Sequence, residues 1–144
     1  RAFEDPRGFC LTLCAEPNWE YLQSVEPYCL PAVAFKPYPC ARQLHAGVEA
    51  LLRLLQDYSI TPIAIDEIEL SVPTAVASLV NRPATSTNRA ATLGSGQYVM
   101  AATAIRGKMD LVAFDDRFIQ SSEMNNLMGK VKVTGEIELD PYFP

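Results

Sequence analysis

The sequence predicts a small α+β domain, in which a sheet of about three or more strands packs against several helices. Three patterns support this: an amphipathic helix over residues 40–58, an alternating strand over residues 65–72, and a second strand that begins at Lys130. They mix without the regular strand–helix alternation of a doubly wound sheet. About half of the 144 residues are hydrophobic (49%), which is enough for one globular core.

The other helices are predicted from apolar periodicity and from the residues that cap or end them. In chain order they cover residues 8–15, 19–25, 75–80, 95–105, 114–119 and 122–128. Thr74 is positioned to cap the third of these helices, and Gly107 to end the fourth.

Prolines and polar residues set the predicted irregular segments. Residues 27–39 contain four prolines and are expected to be extended, with a strand over residues 32–35. Residues 84–88 are predicted to form a polar loop. The last strand is expected to continue over residues 136–139, past Gly135.

Composition and charge argue against several function classes. The chain has 12 Lys and Arg residues against 17 Asp and Glu residues, a formal net charge of -5, which does not suit sequence-independent nucleic-acid binding. No apolar run approaches the ~20 residues that cross a bilayer, and no signal peptide opens the chain. The predicted partners therefore include neither nucleic acid nor membrane. Because residue 1 is arginine, we expect a fragment or a processed piece.

The four cysteines, Cys10, Cys14, Cys29 and Cys40, are not spaced like the ligands of a zinc ribbon or finger, so no metal site is predicted. The favoured interpretation of Cys10 and Cys14 is that they are small buried hydrophobic residues. A weak redox or metal role remains the alternative, because C-x-x-x-C on a helix places both thiols on one face.

The most informative stretch for function runs from Lys36 to His45 and has the sequence K-P-Y-P-C-A-R-Q-L-H. A lysine follows the predicted strand, and two prolines restrict the backbone. Arg42 and His45 stand three residues apart in the opening turns of the next helix, so they share a face. Cations beside the oriented N–H groups of a helix N-terminus would help to bind carboxylates. The residues alone fit equally well with solvated Lys36 and Arg42 and a half-buried His45.

A second candidate for anion binding is Gly94-Ser95-Gly96, which precedes the small-residue helix. Backbone N–H groups at such a junction can meet an anion, and Ser95 is therefore a candidate substrate-binding residue. A plain loop-to-helix junction is the favoured alternative. A serine nucleophile here would lack an obvious base.

Four blocks of the sequence together point to one known family. They are F-E-D-P-R-G-F at residues 3–9, V-A-F-K-P-Y-P-C-A-R-Q-L-H at residues 33–45, S-G-Q-Y-V-M-A-A at residues 95–102, and the stretch over residues 115–128 before a V-x-V strand. In this order, and over nearly all of the chain, they resemble the second domain of the MmgE/PrpD family. An unrelated α+β interaction domain would require all four matches to be coincidence.

The resemblance implies part of a larger two-domain enzyme. The family includes 2-methylcitrate dehydratase, cis-aconitate decarboxylase and iminodisuccinate epimerase, and it works without metal, haem or iron–sulfur cluster, so no cofactor is expected. The implied activity is that of a carbon–oxygen or carbon–carbon lyase on small di- or tricarboxylic acids, in a homodimer. By resemblance, Lys36 and Tyr98 are the catalytic residues, and Arg42 and His45 take supporting or substrate-facing positions. Many relatives have a bulkier residue in place of Gly94 and Gly96, which leaves the substrate open.

The resemblance also predicts the domain organisation. Residues 1–26 would be a connecting helical segment from a helical first domain, and residues 27–144 a second domain truncated at its C-terminus. Because the first domain contributes further catalytic groups, we expect the parent protein to be an enzyme and this piece alone to be inactive. The alternatives are an epimerase of the same family, or a non-catalytic domain for assembly or anionic-metabolite binding. The expected location is the cytoplasm or the mitochondrion.

Overall fold

A computed structural model describes residues 3–24, 33–83 and 89–142. The chain forms two compact units, Arg1–Phe35 and Lys36–Pro144. The boundary predicted after residue 26 and the predicted loop over residues 84–88 both lie outside the described residues. No helix in the described part of the chain is long and apolar enough to span a membrane.

The first unit contains two short helices, α1 (Phe9–Leu13) and α2 (Trp19–Ser24), close to the predicted positions. The Asn18 side chain accepts the amide of Tyr21 at 2.8 Å and so caps the start of α2. Neither helix contains a buried residue. The interpretation of Cys10 and Cys14 as buried hydrophobic residues is therefore wrong: α1 leaves Cys10 half-buried, and Cys14, directly after the helix, is exposed.

The predicted strand over residues 32–35 is wrong in its described part. Residues 33–35 are irregular, and the Phe35 side chain is 89% exposed. No described strand pairs with them, so their β-propensity has no ladder of hydrogen bonds to support it.

The second unit begins with the loop that carries Lys36 and continues into helix α3 (His45–Asp57), which follows a 3₁₀ turn at Arg42–Leu44. The predicted helix over residues 40–58 is confirmed in its body. It begins later than expected because Ala41 is extended, with a ψ of 132°, and Arg42–Leu44 forms the tighter 3₁₀ turn. The amide of Ala41 donates outside the helix, to the carbonyl of Leu93 at 2.8 Å. The apolar stripe of α3 is buried through Val48 and Leu51.

Two strands form the sheet: β1 (Ile68–Pro73) and β2 (Val131–Glu136), which run parallel with Ile68 opposite Val131. Their side chains alternate between a buried face and an exposed face. The α+β class is confirmed. The expected third strand is not found among the described residues, because residues 33–35 are irregular and the chain turns after β2.

That turn is a 3₁₀ segment, Ile137–Tyr142, where the sequence predicted more strand. Its Asp140 carboxylate accepts the amide and the hydroxyl of Thr74, each at 2.7 Å. Thr74 is thus the first residue of α4 (Thr74–Val80) and not its cap. The cap comes from Asp140, 66 residues away. Because Asp140 is bound to Thr74, the chain turns away from the sheet after β2.

Helix α6 (Gly96–Arg106) forms the centre of the core, and its nine residues from Gly96 to Ala104 are all buried. Small residues let its neighbours approach closely: a Cβ on Gly96 would lie 2.9 Å from Val133 Cγ2. Gly107 ends the helix with a φ of 61°, as predicted. Around α6 pack α3, β2 and two shorter helices, α5 (Arg89–Leu93) and α8 (Ser122–Met128). Helix α7 (Asp116–Ile119) packs on the 3₁₀ turn Leu111–Phe114, which itself contacts α6.

Candidate active site

An open cleft of about 830 Å³ lies in the second unit and is bordered by Lys36. Its walls come from three segments: residues 36–41 before α3, residues 93–94 at the end of α5, and residues 109–112 after α6. The Ala41–Leu93 backbone hydrogen bond joins the first two walls. Most of the lining is apolar, so each charged group on the cleft carries weight in recognition.

Tyr38 fastens the Lys36 loop to α3. Its hydroxyl donates to Glu49 Oε2 at 2.6 Å, and the other Glu49 oxygen is held by Arg53 at 3.1 Å. The hydrogen bond to Glu49 raises the pKa of Tyr38, and the same bond lowers the pKa of Glu49. With Pro37 and Pro39 restricting the backbone on either side, the loop has little freedom to move Lys36.

Lys36 places a positive charge at the cleft that no described residue compensates. Its ammonium group is exposed and has no hydrogen bond or ion pair with any described residue. Asp110, the one carboxylate among the described lining residues, is bonded to Lys108 at 2.8 Å and to Arg106 at 2.9 Å. The hydrogen bond from Lys108 is the main reason that the pKa of Asp110 is lowered. The arrangement favours an anionic ligand near Lys36.

Cys40 forms part of the cleft lining but is 4% exposed. Burial raises the pKa of its thiol to about 11, so at neutral pH the group is a neutral thiol and not a thiolate nucleophile.

Arg42 and His45 do not line the cleft. Arg42 is exposed in the turn before α3. The half-buried His45 ring packs edge-on against Tyr38 at 5.4 Å, and its Nε2 lies 3.4 Å from the carbonyl oxygen of Cys40. His45 therefore contacts the loop that carries Lys36, and it lies behind that loop.

Tyr98 lies in the core beneath the third wall. The residue is 1% exposed, and its hydroxyl donates to the carbonyl of Ala113, directly after the segment that lines the cleft. Burial raises the pKa of Tyr98 to about 12. Ser95 is also fully buried and caps α6, since its hydroxyl oxygen accepts the amide of Tyr98 at 3.1 Å. In the Gly94-Ser95-Gly96 stretch, Gly94 borders the cleft.

In comparison with known families, residues 38–144 match the MmgE/PrpD C-terminal domain. The chain belongs to the MmgE/PrpD family. This match covers Arg42, His45, Ser95 and Tyr98, and it begins two residues after Lys36. None of the curated proteins is a significant match to the chain.

MmgE/PrpD proteins are generally lyase- or dehydratase-like, so this is a domain of a dehydratase-like enzyme family. Within residues 3–24, 33–83 and 89–142, no three His, Cys, Asp or Glu side chains are grouped so that they could hold a metal ion.

Sequence reasoning missed two features of this MmgE/PrpD cleft. One is the wall over residues 109–112, including Asp110, which only tertiary packing brings to Lys36. The other is the Tyr38–Glu49 contact, which joins residues 11 apart. The sequence signal available for the 109–112 wall was the charged stretch Lys108-Met109-Asp110 after Gly107. Such a K-x-D pattern is too common to predict a site.

Proposed function

We propose that this chain is part of a cofactor-independent lyase, a dehydratase or decarboxylase, that acts on small di- or tricarboxylic acids such as 2-methylcitrate or cis-aconitate. The observation that carries the proposal is the ammonium group of Lys36, which has no partner among the described residues, at a cleft whose described carboxylate, Asp110, is already bonded to two cations. A carboxylate substrate would supply the missing counter-charge. Family membership supports the reaction class.

Lys36 is assigned the catalytic role of stabilising negative charge. When a proton is removed next to a carboxylate, charge builds on the carboxylate oxygens, and a fixed ammonium group lowers the energy of that state more than the energy of the bound substrate. The Tyr38 contact supports this role because it limits how far the loop must reorganise.

Tyr98 is assigned the role of proton donor. With a pKa of about 12 it keeps its proton at neutral pH, so it would donate and would not act as a base. Its hydroxyl is bonded to the Ala113 carbonyl, and the proposal therefore requires that this bond be exchanged for one to substrate when the cleft is occupied.

Arg42, His45 and Ser95 are assigned substrate-binding roles of different kinds. Arg42 is exposed one turn before α3 and could reach a second carboxylate of a long substrate. His45 would act by holding the loop at Cys40, and Ser95 by fixing the start of α6 next to Gly94.

The active site is proposed to be composite. Among the described lining residues the ionisable groups are Lys36, Asp110, Tyr38 and Cys40. The pKa values of Tyr38 and Cys40 are raised, and the Asp110 carboxylate is already bonded to Lys108 and Arg106, so none of these three is a free proton-abstracting base. A helical domain of the same polypeptide is the proposed source of the proton-abstracting group, within a homodimer.

The test compares the complete gene product with its Lys36→Met variant on 2-methylcitrate, citrate and cis-aconitate, followed by mass spectrometry. Removing one partner of a developing charge typically costs about 10²-fold or more in turnover. Lys132→Met is the matched control, because that exposed lysine pairs with Glu67 on the sheet surface. Turnover that is equal in wild type and Lys36→Met would refute the role of Lys36. No turnover of any of the three acids would count against the proposed substrate class.

The second candidate function is a non-catalytic domain for assembly or for binding an anionic metabolite. The lack of a free base in the described cleft favours it over a self-sufficient enzyme. Citrate binding that depends on Lys36, in a complete protein that turns over no acid, would support it. An epimerase of the same family would be identified by inverted product stereochemistry with no loss of a leaving group.

A further inference from the structure

The loop over residues 36–41 is attached to the rest of the second unit mainly at the end remote from Lys36. Among the described residues, its last amide, that of Ala41, donates to the carbonyl of Leu93 at 2.8 Å. Just before it, the Cys40 carbonyl oxygen lies 3.4 Å from His45 Nε2. These two attachments are four and five residues after Lys36, so they alone leave its position poorly fixed.

The Tyr38 side chain supplies an attachment closer to Lys36. Its hydroxyl donates to Glu49 Oε2 at 2.6 Å. Lys36 and Pro37 form no hydrogen bond with described residues, and residues 33–35 before them are exposed and irregular. Because a chain spans at most ~3.3–3.6 Å per residue, an attachment at residue 38 in place of residue 40 halves the reach of Lys36 from about 14 Å to about 7 Å.

Glu49 is held in place before it meets the tyrosine. It lies on α3 directly after Val48, which is fully buried, so this turn of the helix is packed against the core. Arg53, one turn later, donates from Nε and Nη2 to the other carboxylate oxygen, Oε1, at 3.2 and 3.1 Å. Hydrogen bonds to an ionised carboxylate are about twice as strong as bonds between neutral groups. The carboxylate is thus an oriented and strong acceptor for the Tyr38 hydroxyl.

Glu49 holds the loop without neutralising Lys36. Its ion pair is with Arg53, and it forms none with Lys36 among the described residues. A carboxylate paired directly with Lys36 would compete with an anionic substrate for the ammonium group. Because the uncharged Tyr38 side chain stands between them, Glu49 restricts the loop and leaves the positive charge of Lys36 free for a ligand.

We propose that Glu49 is a positioning residue for Lys36, which acts by holding the Tyr38 hydroxyl and so fixes the ammonium group at the cleft. This inference rests on the proposed catalytic role of Lys36. A charged group contributes most to turnover when it already lies where charge develops in the transition state. Loss of the positioning contact should therefore lower kcat more than it changes KM.

The kinetic test uses the complete gene product, on whichever of the three acids is turned over. We expect Glu49→Ala to lower kcat about tenfold or more and to change KM by less than about threefold. Glu49→Gln, whose amide oxygen still accepts the Tyr38 hydroxyl, should recover part of the loss. A full loss in Glu49→Gln as well, or a change confined to KM, would overturn the inference.

The matched control is Glu67→Ala. Glu67 is 48% exposed and paired with Lys132 on the sheet surface, much as Glu49 is 49% exposed and paired with Arg53. We expect Glu67→Ala to leave kcat at the wild-type value. If Glu49→Ala did the same while Lys36→Met collapsed, the inference would be overturned and the proposed function would stand.

A second background shows whether the effect passes through Lys36. In a Lys36→Met protein, Glu49→Ala should lower the remaining kcat by less than about twofold, because the group that it positions is already gone. The same tenfold loss in both backgrounds would show that Glu49 acts elsewhere. Wild-type turnover in Lys36→Met would instead refute the proposed function, and this inference with it.

A measurement that needs no turnover follows the position of Lys36 directly. In protein labelled with ¹⁵N-lysine, relaxation gives the order parameter of the Lys36 amide, which we expect to be about 0.85 in wild type and to fall toward about 0.6 in Glu49→Ala. The Lys130 amide, bonded to the Leu127 carbonyl at 2.9 Å, is the internal reference and should not change. An unchanged order parameter for Lys36 would overturn the inference even if none of the acids is a substrate.

Discussion

The hydroxyl of Tyr98 is predicted to stabilise the cleft wall, and Tyr98→Phe tests this. The substitution removes one oxygen and leaves the fully buried carbonyl of Ala113 without its donor. A buried carbonyl deprived of its partner costs about 1–3 kcal/mol. For a domain of this size the melting temperature should fall by roughly 4–15 °C. Differential scanning calorimetry or thermal circular dichroism at pH 7 measures the change.

The matched control is Tyr58→Phe, because Tyr58 is 72% exposed and its substitution should change stability by less than about 0.5 kcal/mol. Comparing Tyr98→Phe with Tyr58→Phe also separates an effect on stability from an effect on turnover. If Tyr98 also donates a proton to substrate, turnover measured well below the melting temperature should fall in Tyr98→Phe by more than the small unfolded fraction explains. A melting temperature equal to wild type would refute the structural reasoning.

Three further predictions concern stability. Burial raises the pKa of Cys40 from 9.0 to about 11, so the unfolded state loses the thiol proton first. The stability from this group is complete below pH 9 and is lost as the pH rises to 11. In urea titrations the free energy of unfolding should therefore fall between pH 9 and 11 more steeply in wild type than in Cys40→Ala, in which only groups such as Tyr98 still titrate. Gly96→Ala should lower the free energy of unfolding, measured by urea titration, by about 1–2 kcal/mol, because the new Cβ would overlap the Val133 side chain of β2. The control is Gly94→Ala, whose Cβ would meet nothing within 4 Å and should leave the stability nearly unchanged. Asp140→Ala removes the acceptor of the Thr74 amide and should cost about 1 kcal/mol in chemical unfolding, with Asp140→Asn retaining part of the cap; an unchanged midpoint would show that the cap contributes nothing.

The elements that the sequence predicted well carry their own signals. Helix α3 follows from apolar periodicity, and α6 follows from its run of small residues and from Gly107 at its end. Strand β1 follows from alternation, since its buried and exposed residues separate onto two faces. In each case local propensity and tertiary burial favour the same structure, so the element can be predicted from a single sequence.

The errors arise where a distant contact decides. Residues 33–35 have strand propensity but no partner strand among the described residues. Residues 137–139 leave the sheet because Asp140 is bound to Thr74. Neither the missing partner strand nor the bond between Asp140 and Thr74 can be predicted from the residues next to these segments.

The candidate site divides in the same way. Lys36 was predicted as a site residue, and it does border the cleft; its catalytic role stays a prediction. The position of Tyr98 beneath the wall could not be predicted, because it depends on the carbonyl of Ala113, 15 residues away. Asp110 could not be predicted as a site residue, because only tertiary packing places residues 109–112 at the same cleft as Lys36.

The most direct test of the central claim, that the positive charge of Lys36 acts on a polycarboxylate, compares Lys36→Arg with Lys36→Met in the complete gene product. The quantity to measure is kcat/KM on whichever of the three acids is turned over. We predict that Lys36→Arg, which keeps the charge, retains at least tenfold more activity than Lys36→Met, with both variants as stable as wild type because the side chain is exposed. Equal activity in the two variants would contradict the claim that the charge of Lys36 acts on the substrate.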